Sequence, residues 1–244
     1  MVGQALRAAA FVMTTGMLIA CSGSPTEPTQ ATFPSVSPSV SLSESAAPTK
    51  ASTPATTTKT EETQTPVAEL SDGKPRRAVL SIPAIGLYDL PVVPYVGRTD
   101  DARGTRIQDG GVAASSHGPT GGTGPGGLGN YQVTAHRLAS TQAFLDLPSL
   151  RVGERAIVEA GGVRYVYEIR STRETSFRSP QSLAEQRAAV PGRPGEPATR
   201  AFVTLSTCAT PEDHAAGNFW SDKFGNPEHR IDKIGVLVRT SPID

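Results

Sequence analysis

The residues with the clearest capacity for chemistry are one cysteine and the basic side chains that follow strand-like segments. Cys208 closes the run AFVTLSTC, and it and Cys21 are the only two cysteines of the 244-residue chain. A thiol becomes a nucleophile for acyl transfer when an imidazole and a positive charge favour its thiolate. A buried cysteine without such neighbours is an inert, small apolar residue. Both interpretations of Cys208 stay open from this stretch alone.

His136 is the histidine best placed to act as the base. It follows the strand-like run NYQVTA, where a strand gives way to a loop. If that strand lies near the one ending at Cys208, both side chains emerge at the same rim despite their separation in sequence. Arg230, just before the last strand-like run, would bring a permanent positive charge to that rim. Such a charge could stabilise the oxyanion that forms during acyl transfer. The other histidines, whose spacing shows no compact zinc pattern, are His117, His214 and His229.

Short strand-like runs bounded by turn residues dominate the second half of the chain, which predicts a mainly β domain. Gly161 and Gly162 separate two alternating runs, as in a β-hairpin with a two-residue turn. Several strands at regular spacing favour a closed barrel or a sandwich, with one short helix at Ser182 to Ala189. The strand-like runs are 77–82, 90–93, 130–135, 155–160, 163–171, 201–207 and 234–239.

A glycine-rich stretch precedes the strand at Asn130. Its segment GTGPGG, 122–127, formally matches the dinucleotide-binding pattern G-x-G-x-x-G. That pattern works only where the glycines open a helix, whereas Pro125 interrupts here and a strand follows. We therefore predict a surface loop, with His117 exposed in the same stretch.

The N-terminal residues 1–20 read as a secretory signal peptide. One early positive charge, Arg7, precedes an apolar stretch that is too short to span a bilayer. The end of the segment, LIAC, resembles the lipobox of bacterial lipoproteins, which implies that Cys21 is lipidated. The alternative is a chance cysteine in an uncleaved signal anchor.

Composition divides the rest of the chain into a tether and a domain. Residues 21–75 are rich in Ser, Thr and Pro and too poor in large apolar side chains to form a core. Residues 76–244 suffice for one domain of ordinary size. The 23 basic and 23 acidic residues give no net charge, which argues against a nucleic-acid partner. With Cys21 lipidated, Cys208 is an odd thiol in an exported chain, a pattern that suggests a reactive group.

The segments around these residues resemble the sortases, cysteine transpeptidases of the Gram-positive cell surface. TLSTC, 204–208, is similar to the family signature T-L-x-T-C at the end of a barrel strand. GLGNYQVTAHR, 127–137, resembles the stretch that leads to the catalytic histidine, and EHRIDKIGVLV, 228–238, places an arginine ahead of the final strand. IPAIGL, 82–87, resembles the opening strand. The motifs around His136 and Cys208 are most similar to those of class E sortases, with class F second.

This resemblance implies a fold and a reaction. The fold would be an all-β, closed sortase-type β-barrel of about eight strands with short helices in the connections. Cys208 would be the nucleophile, His136 the acid and base, and Arg230 the group that stabilises the oxyanion or positions the peptide. The substrate would be a sorting signal of the L-P-x-T-G or L-A-x-T-G type, cleaved at its Thr-Gly bond. The acceptor would be an amine of a peptidoglycan precursor or a pilin, and neither cofactor nor metal is implied.

The sequence departs from the family pattern between Cys208 and Arg230. Their interval of 22 positions is longer than in most sortases, so the connecting loop 209–229 is enlarged. Phe219 and Trp220 in this loop would bind substrate together with Thr207. The alternative is that these aromatic side chains pack the loop onto the barrel.

Two other functions remain open. The first is an inactive sortase-like lipoprotein that binds wall proteins or peptides, with Cys208 as a structural thiol. The second is an L,D-type cysteine transpeptidase, although its S-H-G-x-C arrangement is absent because SHG, 116–118, has no cysteine after it. For the favoured function we expect an extracytoplasmic protein, held by its lipid at the outer face of the membrane of an actinobacterium-like Gram-positive cell.

Overall fold

The fold is a closed β-barrel, which confirms the predicted mainly β class. The computed structural model describes residues 71–243, so the signal peptide, Cys21 and residues 22–70 of the expected tether lie outside the described residues. The barrel has eight strands, and β5 closes it by pairing antiparallel with β1. The strands are β1 (Ala78–Ile82), β2 (Leu87–Val96), β3 (Ala113–His117), β4 (Gly129–Thr134), β5 (Arg155–Ala160), β6 (Val163–Ser176), β7 (Ala201–Cys208) and β8 (His229–Pro242).

The strand order around the barrel is β1-β2-β3-β4-β7-β8-β6-β5. Two neighbouring pairs, β2 with β3 and β4 with β7, run parallel, and the other pairs are antiparallel. Alternate side chains point into the barrel, as the period of a strand requires. The interior contains large apolar side chains with almost no solvent exposure, among them Tyr131, Phe144, Leu147, Tyr167 and Leu205.

The β5–β6 hairpin is the part of the fold that the sequence predicts best. Gly161 and Gly162 have φ of 61° and 77°, the positive values that a two-residue turn between antiparallel strands requires. Strand β5 has the predicted bounds. Strands β6 and β8 extend beyond their predicted runs because they pair with each other along nearly their whole lengths. Arg230, expected before the last strand, therefore lies inside β8.

Three short α-helices occupy the connections. Ser179 caps α2 by accepting a bond from Ser182 N at 3.1 Å, so this helix begins two residues before the predicted start. Neither of the other helices is predicted from the sequence. No helix within residues 71–243 is long and apolar enough to cross a bilayer. The helices are α1 (Ala102–Asp109), α2 (Pro180–Arg187) and α3 (Thr210–Ala215), and 3₁₀ turns occupy Pro83–Ile85 and Leu147–Ser149.

The glycine-rich stretch forms a turn and not the start of a helix, as predicted. The prediction that it lies on the surface is wrong for residues 124–127. Residues 124–127 are buried because the chain segment at Gly73 and Lys74 and the ring of Tyr165 press against them. A Cβ atom on Gly126 would lie 2.2 Å from Tyr165 Cε1, which excludes any larger residue. His117, predicted in an exposed loop, is the last residue of β3 and is partly buried.

Residues 71–75, assigned above to the tether, contact this turn. Gly124 N donates to Gly73 O at 2.9 Å, and the Thr123 hydroxyl donates to the same oxygen at 3.2 Å. The Ser71 hydroxyl donates to Pro125 O at 2.7 Å. The hydrogen bonds of the barrel thus extend to the first described residues.

A buried polar layer covers the outer face of β4, β7 and β8. Its side chains alternate with the core residues along each strand, so they point away from the barrel interior. Helix α2 covers the layer through Gln186, whose Nε2 donates to Asp232 Oδ1 at 3.0 Å, while Thr99 donates to Gln186 Oε1 at 3.1 Å. The strand members of the layer include Gln132, Thr134, Ser206 and Asp232.

Candidate active site

Cys208 and Arg230 face each other across neighbouring strands. They are the last residue pair in the antiparallel register of β7 and β8. Directly opposed residues in such a ladder have Cβ atoms about 4.5–5.5 Å apart. The ladder therefore brings a cation to the thiol without help from any loop.

His136 reaches the same rim from β4. The parallel β4–β7 register ends at Thr134 and Ser206, and Ala135 N continues it by donating to Ser206 O at 3.3 Å. His136 and Cys208 each follow two residues after that last pair. Parallel neighbours end at the same edge of a sheet, so the predicted placement of both side chains at one rim is confirmed.

The thiol of Cys208 is partly buried, and this governs its ionisation. Burial raises the pKa of Cys208 above its usual value, and the nearby Asp100 and Asp222 carboxylates raise it further. Arg230 and Arg137 oppose this because positive charges stabilise the thiolate. The resting side chain is thus mainly the neutral thiol at neutral pH, and the site needs a base to produce the nucleophile.

His136 is oriented by a carboxylate. Its Nε2 lies 2.9 Å from Asp109 Oδ1, and its side chain is largely buried. Asp109 is the last residue of α1, so this helix fixes the imidazole at the end of β4. A carboxylate accepts the Nε2 proton, which leaves Nδ1 as the nitrogen that can take up a proton.

Arg230 is held rigidly in the protein, with 1% of its surface exposed. Its Nε donates to Asp100 Oδ2 at 2.8 Å, and its Nη1 donates to Pro227 O at 3.0 Å. Its guanidinium carbon lies 4.2 Å from the ring centre of Phe177, within range of a cation–π contact. Burial disfavours its charge, but Asp100 and Cys208 more than offset this, and the pKa of Arg230 lies above its usual value.

One amino group of Arg230 has no partner. Within residues 71–243, Nη2 is buried and makes no hydrogen bond. Unsatisfied buried donors are costly and mark sites of strain or function. A donor of this kind beside a nucleophile can bind an oxygen that becomes negative during acyl transfer.

A cleft of about 520 Å³ lies at the rim that carries Cys208 and His136. His136 and Cys208 line it, together with Arg137, Asp109 and, from the loop 209–229, Phe224. Such a volume suits a short peptide segment. Among the described residues no cluster of three or more acidic, histidine or cysteine side chains could hold a metal ion.

The three residues predicted to bind substrate lie outside the lining of this cleft. Phe219 packs its ring 4.9 Å from that of His214, and Trp220 lies under Arg178, 5.8 Å from the guanidinium. The Thr207 hydroxyl is buried and donates to Ala135 O at 2.9 Å, joining β7 to the end of β4. Their role in substrate binding stays a prediction.

The structure adds residues that the sequence analysis does not single out. Asp100 and Asp109 lie in the β2–α1 connection and in α1, and they contact Arg230 and His136. The sequence does contain a signal for the start of α1, because aspartate is a preferred N-cap residue and Asp101 stands at that position. In the structure Asp101 accepts hydrogen bonds from Arg103 N and Gly104 N at 2.9 Å. Their pairing with basic residues far along the chain has no local signal.

The sequence matches the model of a known protein family. The family model "Sortase domain" matches residues 80–220, more than half of the chain, which includes His136 and Cys208 and ends before Arg230. No curated protein matches the chain significantly.

The fold resembles several solved structures. The SrtA sortase from Actinomyces oris is 20% identical with a TM-score of 0.53, over 74% of this chain and 89% of that one. A mutant of sortase E from Streptomyces avermitilis is 24% identical with a TM-score of 0.50, over 70% and 93%. The SrtF sortase from Corynebacterium diphtheriae is 18% identical with a TM-score of 0.50, over 71% and 92%. At these identities the likeness concerns the fold.

Proposed function

Because this chain belongs to the sortase family, we propose that it is a cysteine transpeptidase that cleaves a sorting-signal peptide and transfers it to an amine. The observation that carries the proposal is that Cys208 and His136 line one cleft and that Arg230 is the partner of Cys208 across β7 and β8. Each supplies one of the three functions that acyl transfer needs, namely a nucleophile, an acid–base group and a donor for the oxyanion.

In the first half of the reaction the Cys208 sulfur attacks the carbonyl carbon of the threonine in a Thr-Gly bond. His136 takes up the thiol proton and gives it to the glycine nitrogen as the C–N bond breaks. A thioester of the substrate with Cys208 is left, and the segment C-terminal to the cleaved bond departs as an amine.

In the second half an acceptor amine attacks the thioester carbon. His136 takes the proton from the attacking amine, a new amide forms, and the C–S bond breaks to restore the thiol. The acceptor would be an amino group of a peptidoglycan precursor or of a pilin lysine. Water must be excluded from the thioester, and the partial burial of Cys208 is consistent with this need.

Arg230 would act on the oxygen of the tetrahedral intermediate. Its position is fixed by Asp100, Pro227 and Phe177, while its Nη2, which is buried and makes no hydrogen bond within residues 71–243, would be the donor. A donor that is fixed before the reaction stabilises the developing charge without having to reorganise.

The finer identity of the substrate rests on the sequence resemblance. We propose a signal of the L-P-x-T-G or L-A-x-T-G type and class E, with class F as the second choice. Likewise, we propose that Cys21 is lipidated and holds the domain at the outer face of the membrane. Replacement Cys21→Ser should abolish incorporation of labelled lipid, and labelling that persists would contradict the anchor.

The test of function is detection of the covalent intermediate. The protein is incubated with peptides of both motifs and an amine acceptor, and the Cys208 segment is examined by mass spectrometry. We expect a thioacyl adduct on Cys208, a ligated product, and loss of both in Cys208→Ala. No adduct with any peptide would favour the inactive, peptide-binding alternative, in which the buried thiol is structural.

A further inference from the structure

Arg137, the residue after His136, makes contacts that join the end of β4 to the end of β7. Its side chain is 11% exposed and lies in the wall of the cleft. Its Nη1 donates to the backbone oxygen of Cys208 at 3.3 Å. Its Nη2 donates to Glu212 Oε1 at 3.0 Å, and Nη1 also contacts Glu212 Oε2.

These contacts lie where the backbone ladder between β4 and β7 has ended. The last links of the strands are the bonds of Ala135 N to Ser206 O and of the Thr207 hydroxyl to Ala135 O. The guanidinium of Arg137 is the next connection, and its planar fork can bind the Glu212 carboxylate and the Cys208 carbonyl together.

Glu212 binds the same guanidinium and follows Cys208 closely in the chain. It lies in α3, which begins two residues after Cys208. Arg137 therefore connects the end of β4, the end of β7 and the first turn of α3. Because Arg137 holds Glu212 in the charged form, the pKa of that carboxyl lies below its usual value.

The charge of Arg137 also acts at the cleft. Its Nε is buried and makes no hydrogen bond within residues 71–243. The groups that face Cys208 from the surrounding elements are Arg230 on β8, Asp100 before α1, His136 after β4 and Asp222 in the loop 209–229. Arg137 and Arg230 are the two that favour the thiolate.

We propose that Arg137 is a positioning residue, which holds the Cys208 backbone against the His136 segment while Glu212 partly neutralises its charge near the thiol. The proposal rests on the transpeptidase function for its effect on turnover. Its effect on the thiol itself does not depend on any substrate. These two parts can therefore be measured separately.

If Arg137 and Glu212 act on the thiol through their charges, replacing each should shift the pKa of Cys208 in opposite directions. Arg137→Gln removes a positive charge and should raise the pKa of Cys208, so that alkylation at neutral pH slows by about two- to tenfold. Glu212→Gln removes the neutralising carboxylate and should accelerate alkylation. Arg137→Lys retains the charge and should alkylate at nearly the original rate.

The measurement is the rate of Cys208 modification by iodoacetamide between pH 5 and 10. The full-length chain is used with Cys21→Ser, so that Cys208 is the single thiol. Arg164→Ala is the matched control because Arg164 Nε pairs with Glu159 at 2.7 Å on the β5–β6 hairpin, away from the cleft lining. It should leave the rate unchanged. Shifts of the same sign in Arg137→Gln and Glu212→Gln, or none in either, would overturn the proposal.

The positioning part is tested by turnover of a sorting-motif peptide. Arg137→Lys cannot form the forked contact, so kcat should fall about tenfold while KM and the alkylation profile stay near their original values. An unchanged kcat would overturn the positioning role. If the unmutated protein shows no turnover but the opposite alkylation shifts are present, the transpeptidase function fails and the action of Arg137 on the thiol is supported.

Discussion

Asp100 has two opposing effects on the proposed active site. Its carboxylate fixes Arg230, the proposed oxyanion donor, yet it also raises the pKa of the Cys208 thiol. We expect Asp100→Asn to lower that pKa, because a negative charge near the thiolate is removed and Arg230 is left less neutralised. Alkylation of Cys208 at pH 7 should then accelerate by about two- to tenfold.

The same substitution should slow turnover, because Arg230 loses its partner. Asparagine is suitable here since Asp100 has φ of 56°, a conformation that asparagine tolerates. Asp89→Asn is the control, because Asp89 is exposed and has φ of 54°. Slower alkylation of Asp100→Asn than of the unmutated protein would contradict the assigned electrostatics.

The guanidinium of Arg230 has more hydrogen-bond donors in a fixed plane than a lysine side chain has. Lysine would keep the charge but could not bind Asp100 and Pro227 O and also retain a further donor in the place of the unpaired Nη2. We expect Arg230→Lys to reduce kcat by about a hundredfold with a smaller change in KM. Arg239→Lys, on the exposed part of β8, should retain activity, and a loss confined to Arg239→Lys would mean that the arginine is wrongly assigned.

Among the connecting elements, the loop 209–229 presents its aromatic side chains unequally. Phe224 lines the cleft, whereas Phe219 is 71% exposed and packs on His214. Phe224→Ala should raise KM for the peptide several-fold by removing apolar contact area, and Phe219→Ala should not. The reverse result in peptide kinetics would support the substrate-binding role that the sequence predicts for Phe219.

Helix α2 carries a pH-dependent contact with the barrel. Burial raises the pKa of Asp232, whose carboxyl is bonded by Gln186 and Thr175. Above the pKa of an unfolded aspartate, about 4, the folded state therefore binds more protons than the unfolded state, and stability falls as the pH rises. Asp232→Asn has no proton to lose, so its unfolding free energy in urea should fall less between pH 4 and 8. Parallel curves for the two proteins would show that Asp232 does not titrate as described.

The elements also show what the sequence can and cannot predict. The β5–β6 hairpin is predictable because its alternation and its Gly161-Gly162 turn are local features. Strand β3 is not predictable because AASSH lacks alternation and β-branched residues. The placement of His136 and Cys208 at one rim follows from two strand ends, whereas the Arg230–Asp100 pair joins residues 130 positions apart and has no local pattern.

For the molecule as a whole, the limits of the folded domain can be tested by truncation. Removing residues 1–70 should leave the melting temperature of the barrel unchanged. Removing residues 1–76 should lower it by a few degrees, because the hydrogen bonds of Ser71 and Gly73 to the buried glycine turn are lost. Thermal unfolding of both proteins decides this. Equal melting temperatures would mean that residues 71–76 belong to the tether.

The placement of the three proposed catalytic residues on β4, β7 and β8 has a consequence for the order of events during synthesis. The link from β4 to β7 must include the β5–β6 hairpin, and β8 is the last strand within residues 71–243. Closing such long loops is entropically costly, so contacts between these strands form late in folding. A partly synthesised chain that lacks β8 carries Cys208 without Arg230. The proposed catalytic set is thus complete only when β8 pairs with β7, and an incomplete chain holds the thiol without Arg230.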